Sequence, residues 1–408
     1  MTRLAAAAWL FLLAGCAAAP PAPADLPWRD SPDAVVRLHR GGVPHTDRLG
    51  LTRHSLDPAR SLLPLVLDNA MVDYQRGLRF GFAAAANAGF NAVAPWAEQP
   101  RDAVLEAAAG ARLLAVMPAR KADAEDSDDA ADNSAWFDPA GIRLARALPF
   151  RDPGPADLRP ASTAAAEAGL RALRQMLAEQ AGQTRPLPVW AMLQVFGTLD
   201  NTAAPDERRR LPSPAEARAL AYGALAEGAS GLVWFAEDSY AGRSSGAIGI
   251  APVPVLDYGI QVFDGHRRDD MKATPGAIAA AAGLWQAVAR LNREIDRLAP
   301  ALLSPTAAFD YQVRLLALEP GAASLLATAE ADASAPLRLL LKSFDGRFTL
   351  LAVNLTPQRW RLAVSLPQPM RRIERWFDTD APPALLAGGS GFEEDFPPHA
   401  VRIYRLTP

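Results

Sequence analysis

The stretch from Pro188 to Phe196 (Pro-Val-Trp-Ala-Met-Leu-Gln-Val-Phe) constrains the fold more than any other, because both faces of any strand it forms are apolar. Such a strand has to be covered on two sides, which is the position of an inner strand in a parallel sheet with helices packed on it. Comparable runs occur at Leu62–Leu67, Asn91–Pro95, Leu113–Met117 and Gly231–Phe235. The segments between them read as alanine-rich helices. Phe80–Ala88 is closed by Gly89, Arg101–Ala109 by Gly110, and Ala164–Gln180 by Gly182. Ser213-Pro214-Ala215-Glu216 is a capping box with proline at the first helical position, starting a helix that runs to Glu227. Strands alternating with helices predict an α/β fold with a parallel sheet. At this length a (β/α)8, TIM-like barrel over residues 31–305 is favoured over an open sheet, entered through a short hairpin near Val35–Leu38 and Val43.

The rhythm then changes. Ile278–Leu298 reads as one long helix, and Pro300 and Pro305 break the chain after it. Beyond that the pattern is short alternating strands. Leu337–Phe344 and Phe348–Leu355 flank Asp345-Gly346, a strong hairpin signal, and further strands fit Arg361–Leu366, Ile373–Phe377 and Val401–Leu406. A smaller antiparallel β-sandwich over residues 308–408 is expected.

The chain opens with Met1-Thr2-Arg3 and an apolar run from Leu4 to Leu13, too short to span a bilayer but of signal-peptide length. Leu13-Ala14-Gly15-Cys16 follows and resembles the lipobox of bacterial lipoproteins. Cys16 is the single cysteine of the chain, so it has no disulfide partner within it. The resemblance implies a signal peptide over residues 1–15 and lipidation of Cys16. Residues 16–30, rich in Ala and Pro, then form a tether. Each acyl methylene buried adds about 0.8 kcal/mol, so two or three chains anchor firmly. Ala17, in place of an aspartate, implies sorting to the outer membrane of the bacterial envelope. The alternative is an ordinary cleaved signal whose cysteine is incidental.

Composition narrows the partners. A net charge of −3 and the lack of a basic stripe argue against nucleic acid. Five scattered histidines and a lone cysteine make a transition-metal site improbable, and no phosphate loop ending in Gly-Lys-Ser/Thr occurs, so neither metal nor cofactor is expected. The acidic stretch from Asp123 to Asp132 lacks the spacing of a calcium loop and reads as solvated.

Several segments together resemble the catalytic barrels of glycoside hydrolases that carry a β-sandwich behind the barrel. They are Ala88-Gly89-Phe90-Asn91-Ala92-Val93, Pro188–Gly197 with its Gln-x-Phe ending, and Pro212–Phe235. Two more are Leu284–Leu303, with Trp285, Asn292, Glu294 and Pro300, and Phe392–Leu406, with Phe396-Pro397-Pro398 and Tyr404. The resemblance covers most of residues 60–408. It implies a carbohydrate ligand and hydrolysis of an oligo- or polysaccharide by paired carboxyl groups. The family's middle motif, Asp-Glu-Pro or Asn-Glu-Pro, is replaced here by Arg151-Asp152-Pro153. An aspartate beside an arginine favours the ionised form, whereas a general acid has to hold its proton near neutral pH.

Glycoside hydrolysis places two carboxyl groups about 5–5.5 Å apart for retention, or about 6.5–9.5 Å for inversion. In a barrel they sit at C-terminal strand ends. Glu237, after Leu232–Ala236, is the first catalytic candidate, and Asp152 is its partner in the weaker middle position. Asp68, Glu98 and Asp238 near strand ends are candidate substrate ligands, each with the alternative of a solvated or arginine-paired loop acid. Trp96 and Trp234 are candidate stacking rings, though Trp234, like Trp190, suits a core equally well. Trp136 invites the same question. Gln194, an amide inside an apolar strand, either faces substrate or belongs to a buried network.

Three functions compete on this reading. The first is a surface-anchored glycoside hydrolase. The second is an impaired barrel that binds glycan or supports an envelope assembly. The third is a serine esterase built on Gly242-Arg243-Ser244-Ser245-Gly246, with His266 or His399 downstream. Such an elbow needs a strand directly before the serine and a helix directly after it. Here a polar spacer precedes Ser244 and the strand-like Ile248–Leu256 follows.

Overall fold

The structure is a computed structural model. It describes residues 45–46, 52–54, 57–70, 81–95, 99–117, 136–137, 143–147, 189–198, 210–235, 247–249, 275–304, 312–318, 337–366, 368–377, 383–385 and 387–408. In chain order the elements begin with β1 (His45–Thr46), β2 (Thr52–His54) and β3 (Asp57–Ser61), a small antiparallel sheet, while the hairpin expected near Val35–Leu38 and Val43 lies outside the described residues. Next come β4 (Leu65–Ala70), α1 (Phe82–Asn87), β5 (Ala92–Pro95), α2 (Arg101–Ala111), β6 (Leu114–Val116), β7 (Trp136–Phe137) and β8 (Arg143–Ala147). They are followed by β9 (Val189–Gln194), β10 (Phe196–Thr198), α3 (Pro214–Ala226), β11 (Gly231–Phe235), β12 (Ala247–Gly249) and α4 (Pro275–Leu302).

Seven of these strands make one parallel sheet in the order β7-β6-β5-β4-β11-β9-β8. The first strand of the sheet, β4, lies beside the last, β11. The other neighbours follow chain order, so this is the order of a sequentially wound cylinder opened between β7 and β8. Five residues separate those two strands, too few for the helical crossover that parallel neighbours need.

The two faces of the sheet are buried differently. Leu65, Val93, Ala115, Leu193, Leu232 and Trp234 share a core with α1–α4 through Phe82, Val104, Leu220, Leu284 and Ile295. On the opposite face Leu62, Val66, Ala92, Leu114, Trp190, Met192 and Val233 form a separate cluster, and no residue of a described helix belongs to it. Among the described residues this face packs on itself, which is the arrangement of the concave side of a curved sheet, and it is called the concave face below. Val189–Gln194 is buried at every position, as its two-faced apolar pattern requires.

Helix ends follow their local chemistry with two exceptions. At α3 the Ser213 hydroxyl accepts the Glu216 N–H (3.2 Å), and the Glu216 carboxylate accepts the Ser213 N–H (2.8 Å), completing the capping box. Helix α2 passes through Gly110, the expected stop, and ends at Arg112 in the left-handed region (φ 58°), where Leu113 N–H reaches the Ala108 carbonyl. Helix α4 likewise continues over Pro300 to Leu302. Pro300 removes one backbone donor, the one that would reach the carbonyl of residue 296, and the helix carries on for two more residues.

The remaining strands are β13 (Gln312–Leu318), β14 (Leu337–Phe344), β15 (Arg347–Asn354), β16 (Trp360–Ser365), β17 (Arg372–Arg375), β18 (Ala384–Leu385), β19 (Gly391–Phe396) and β20 (Val401–Thr407). They form two four-stranded antiparallel sheets, β13-β16-β19-β18 and β14-β15-β20-β17, which enclose one apolar core around Leu350, Trp360, Phe392 and Tyr404. The β14–β15 turn has Asp345 and Gly346 both at positive φ (52° and 67°), as the Asp-Gly pair requires. The outer face of the second sheet, through Leu351, Val353, Val401 and Ile403, belongs to the same core as α3 and α4. Helix α3 approaches so closely that a Cβ on Gly223 would stand 2.9 Å from a Leu355 methyl.

Candidate functional site

All seven sheet strands run the same way, so their C-terminal ends share one rim, and burial changes along the concave face toward it. At the opposite end Leu62 and Trp190 are shut off from solvent, with Val66, Ala92 and Leu114 above them. The Trp190 indole lies over β11, and a Cβ on Gly231 would come within 2.8 Å of its ring, so only glycine leaves room for this plug. At the C-terminal rim the same face carries Asp68, Ala94, Val116 and Phe235, all half-buried. On β4, β5, β6 and β11 this face is therefore more exposed toward the C-terminal rim, while on β9 it stays buried through Gln194.

Three side chains stand level at that rim, the candidates Asp68 and Gln194 and, between them, Phe235. Register pairs Leu67 with Trp234, so Asp68 and Phe235 each stand one residue further along neighbouring strands. Phe235 pairs in turn with Gln194 of β9. Strand alternation puts Asp68, Phe235 and Gln194 on the side of Val66, Val233 and Met192. Strand β4 also carries an extra residue at this point. Leu67 pairs with Val93 and Ala70 with Pro95, leaving Asp68 and Asn69 together opposite Ala94. A bulge here bends the strand and re-aims its side chains, a device common beside functional sites. The end of β4 is tied down by Gln99, whose amide donates to the Ala70 carbonyl at 2.8 Å.

Gln194 is a scaffold residue. It is fully buried, and its amide nitrogen donates to the Phe196 carbonyl (3.1 Å) and the Arg210 carbonyl (2.9 Å), which uses both N–H groups. Of the two readings left open by the sequence, this is the buried network. Arg210 extends it, giving a two-pronged ion pair to Glu216 (2.8 and 2.6 Å). Burial raises the Glu216 pKa, but the Arg210 hydrogen bonds, the Ser213 N–H and the Arg210 charge outweigh it and hold the carboxyl below its usual range. His399, on the turn before β20, feels the same pair. Its pKa is lowered by burial and by Arg210 against the pull of Glu216.

Trp234 does not serve as a sugar-facing ring. It lies on the helix-covered face, fully buried, with its indole N–H donating to Asn292 Oδ1 at 2.9 Å. Asn292 in turn donates to the Ala88 carbonyl (3.3 Å), locking α4 onto α1 and β11. Trp190 is likewise core. The ring that does face the concave side at the rim is Phe235, set edge-on to Phe196 with centroids 5.3 Å apart. Alternation sets Phe235 opposite Trp234, but no local signal says which of the two faces this side.

Catalytic candidates Glu237 and Asp152, candidate ligands Trp96, Glu98 and Asp238, the lipidation candidate Cys16, and Ser244 all lie outside the described residues. The element directly after Gly246 is strand β12, paired antiparallel with β10, where an esterase elbow needs a helix. Among the described residues no cluster of His, Cys, Asp and Glu could hold a metal ion, and no helix is long and apolar enough to cross a membrane.

No family model matches the chain, and no curated protein does. Its solved structural neighbours are distant. One is an Anoxybacillus alpha-amylase described as a new glycosyl hydrolase subclass, with 12% identity over 78% of this chain and a TM-score of 0.32. Another is the Geobacillus thermoleovorans alpha-amylase complexed with acarbose, with 11% identity over 80% of this chain and a TM-score of 0.30. The chain spans 59% and 63% of those two proteins, less than two thirds of their length. A third is AmyP in complex with maltotriose, with 11% identity over 85% of this chain and 97% of that one, and a TM-score of 0.33.

The segments that carry the sequence resemblance have structural work. Gly89 (φ 78°) lets α4 approach, since a Cβ there would stand 3.2 Å from Asn292 and Arg293 side-chain carbons. Phe90 packs on Trp285 with ring centroids 5.6 Å apart. The Asn91 side chain accepts the Leu65 N–H (2.7 Å) and donates to the Leu63 carbonyl (2.9 Å). Glu294 receives Arg218 through two bonds of 2.6 and 2.7 Å and the Tyr222 hydroxyl at 2.7 Å, joining α4 to α3. Asn354 does similar work between the antiparallel sheets, donating to the Pro397 carbonyl at 2.7 Å.

Proposed function

We propose that this protein is an envelope-anchored, glycoside-hydrolase-like barrel that takes an oligo- or polysaccharide into the C-terminal mouth of its parallel sheet. The observation that carries this reading is the burial gradient along the concave face. That face is plugged at Leu62 and Trp190 and opens at a rim where a bulged carboxylate, Asp68, stands beside an aromatic ring, Phe235. An apolar surface with a few placed polar groups is what a sugar site requires. In this reading the sheet closes into a (β/α)8 barrel, the first-to-last pairing of β4 with β11 being one contact of that closure. The two antiparallel sheets are the β-sandwich behind it.

Glu237 and Asp152 are the proposed acid/base pair. The strands that precede them, β11 and β8, end at one rim with β9 between them, so their axes are about 10 Å apart. A glycosidase pair holds its carboxyl groups roughly 5–9.5 Å apart, and loops that leave one rim after nearby strands are where such a pair is drawn from. A hydrolysis screen on α- and β-linked oligosaccharides compares wild type with Glu237→Gln and Asp152→Asn. Loss of turnover in both variants is expected, and undiminished turnover in either removes that residue from the pair. A second reading, glycan binding without turnover, is favoured by Arg151-Asp152-Pro153 standing where the family carries its Glu-Pro motif. Binding with no turnover in wild type selects it.

Cys16 is the proposed lipid attachment point at the outer membrane. Cys16→Ala is expected to release the protein from the membrane fraction, and unchanged partitioning would discard the anchor.

A further inference from the structure

We propose that His399 is an acid-sensitive latch between the antiparallel sheets and the parallel-sheet domain: uncharged, its ring closes the joint against the start of α3, and protonation loosens that joint. The inference does not depend on the carbohydrate reading. His399 belongs to Pro397-Pro398-His399-Ala400, the turn into β20, and the next residue, Val401, packs in the core shared with α3. Hydrogen bonds pin this turn. His399 N–H donates to the Thr356 carbonyl (3.0 Å), Asn354 N–H to the Ala400 carbonyl (2.8 Å), and the Asn354 amide to the Pro397 carbonyl (2.7 Å). Thr356 is fixed in turn by Asn354 Oδ1, which accepts from its N–H (3.0 Å) and its hydroxyl (2.8 Å). His399 itself sits in the left-handed region (φ 55°) behind two prolines, so its backbone cannot swing the ring elsewhere.

Held there, Nδ1 is buried and has no hydrogen-bond partner. A neutral imidazole tolerates this by keeping its proton on the other nitrogen, whereas an imidazolium carries a donor on both. A second proton therefore creates a buried donor with nothing to accept it. The charged side chains that act on the ring are Glu216, which favours the proton, and Arg210, which opposes it. Glu216 is already committed, since its carboxylate accepts from both Arg210 terminal nitrogens and from Ser213 N–H. The turn carries no other titratable side chain, and Arg359, on the link from β15 to β16, is exposed. Burial, opposed by Glu216 and aided by Arg210, puts the His399 pKa below its ordinary 6.5. Arg210 also lends its carbonyl to Gln194, so the latch bears on the residue that braces the rim.

The test compares the mature chain with His399→Asn, because asparagine also tolerates the left-handed region and does not titrate. Chemical denaturation is run from about pH 8 down to about pH 5, a range that brackets the ordinary histidine value. The unfolded chain takes the proton near 6.5 and the folded chain only at lower pH, so folded wild type loses stability as pH falls through that window. Glu216, held below its ordinary 4.5, stays ionised throughout. The wild-type minus variant stability difference is expected to be level above about pH 7.5 and to fall below it. Hydrogen exchange reads the joint itself. After correction for intrinsic rates, protection of the Glu216 and Asn354 amides is expected to drop several-fold between about pH 7.5 and about pH 5 in wild type, and to hold in His399→Asn. A flat difference curve overturns the latch, and so does unchanged protection of both amides in acid. If His399→Asn fails to fold, an NMR titration of wild type decides: a His399 ring midpoint below 6.5 supports the latch, and one at or above it overturns the proposal.

Discussion

Gly231→Ala should destabilise this protein, although the same change in an open strand would help it. Glycine in a strand interior costs roughly 0.5–1 kcal/mol relative to alanine through backbone entropy, so an unobstructed substitution gains about that much. At Gly231 the added methyl would meet Cδ1, Nε1 and Cδ2 of Trp190 at 2.8, 2.8 and 2.9 Å. Carbon contacts prefer about 3.5–4.0 Å, so three overlaps arise at once. Trp190 is 1% exposed in a packed cluster and has nowhere to retreat. Overpacking of this kind costs about 1–3 kcal/mol, and it outweighs the entropic gain. Chemical denaturation of Gly231→Ala, Trp190→Leu and the double variant separates the terms. Trp190→Leu alone is expected to cost several kcal/mol through the cavity it leaves, about 3 kcal/mol by analogy with other large-to-small changes. In that background Gly231→Ala should become neutral or stabilising, giving a coupling of about 1–3 kcal/mol. An equal effect of Gly231→Ala in both backgrounds would refute the plugged floor, and with it the argument that the concave face opens only at the C-terminal rim.

Asn292→Leu leaves the Trp234 indole N–H and the Ala88 carbonyl without partners in the core, and a loss of about 2–4 kcal/mol is expected in urea titration. A loss below about 0.5 kcal/mol would deny the lock between α4, α1 and β11. Gly110→Ala, at an exposed helical position with nothing within 4 Å of the new Cβ, should stabilise by about 0.5–1 kcal/mol, and a lower melting temperature would contradict the helix bounds. Burial lowers the Lys342 pKa from 10.5 to about 8, while its ammonium donates to the Ser304 carbonyl at 3.0 Å. Between those two values the unfolded chain holds the proton more tightly, so this group adds stability as pH rises through the window and loses it as pH falls. The wild-type minus Lys342→Met stability difference should therefore rise from pH 8 to 10.5, and a flat difference curve would count against the burial. A chain ending at residue 305 removes Leu351, Val353, Val401 and Ile403 from the core shared with α3 and α4, and is expected to bind ANS and melt without cooperativity. A sharp, reversible transition in that fragment would show the two units to be independent.

Much of the architecture was legible in local chemistry. The capping box at Ser213–Glu216, the Asp345-Gly346 turn and the two-faced apolar run at Val189–Gln194 appear where the residues predict, because each depends on neighbours within a few positions. Helix ends were less legible. Gly110 is a good terminator, yet α2 ends at Arg112, where Leu113 and the following strand hold the backbone in a left-handed turn. The segments that resemble glycoside hydrolases turn out to hold the scaffold together, with Asn91, Asn292 and Glu294 bonding across elements far apart in the chain.

The succession of strands and helices along the chain, the alternation within strands and the capping box of α3 were set by the sequence alone, since those preferences are local. Which member of Trp234-Phe235 faces the mouth was decided by the tertiary structure. Alternation says only that the two point opposite ways, and the choice came from α4 offering Asn292 to the indole on one side while Trp190 filled the floor on the other. The same holds for Asp68, whose place beside Phe235 exists only because the first and last described strands of the parallel sheet lie next to each other, a contact between residues some 170 positions apart that no local pattern encodes.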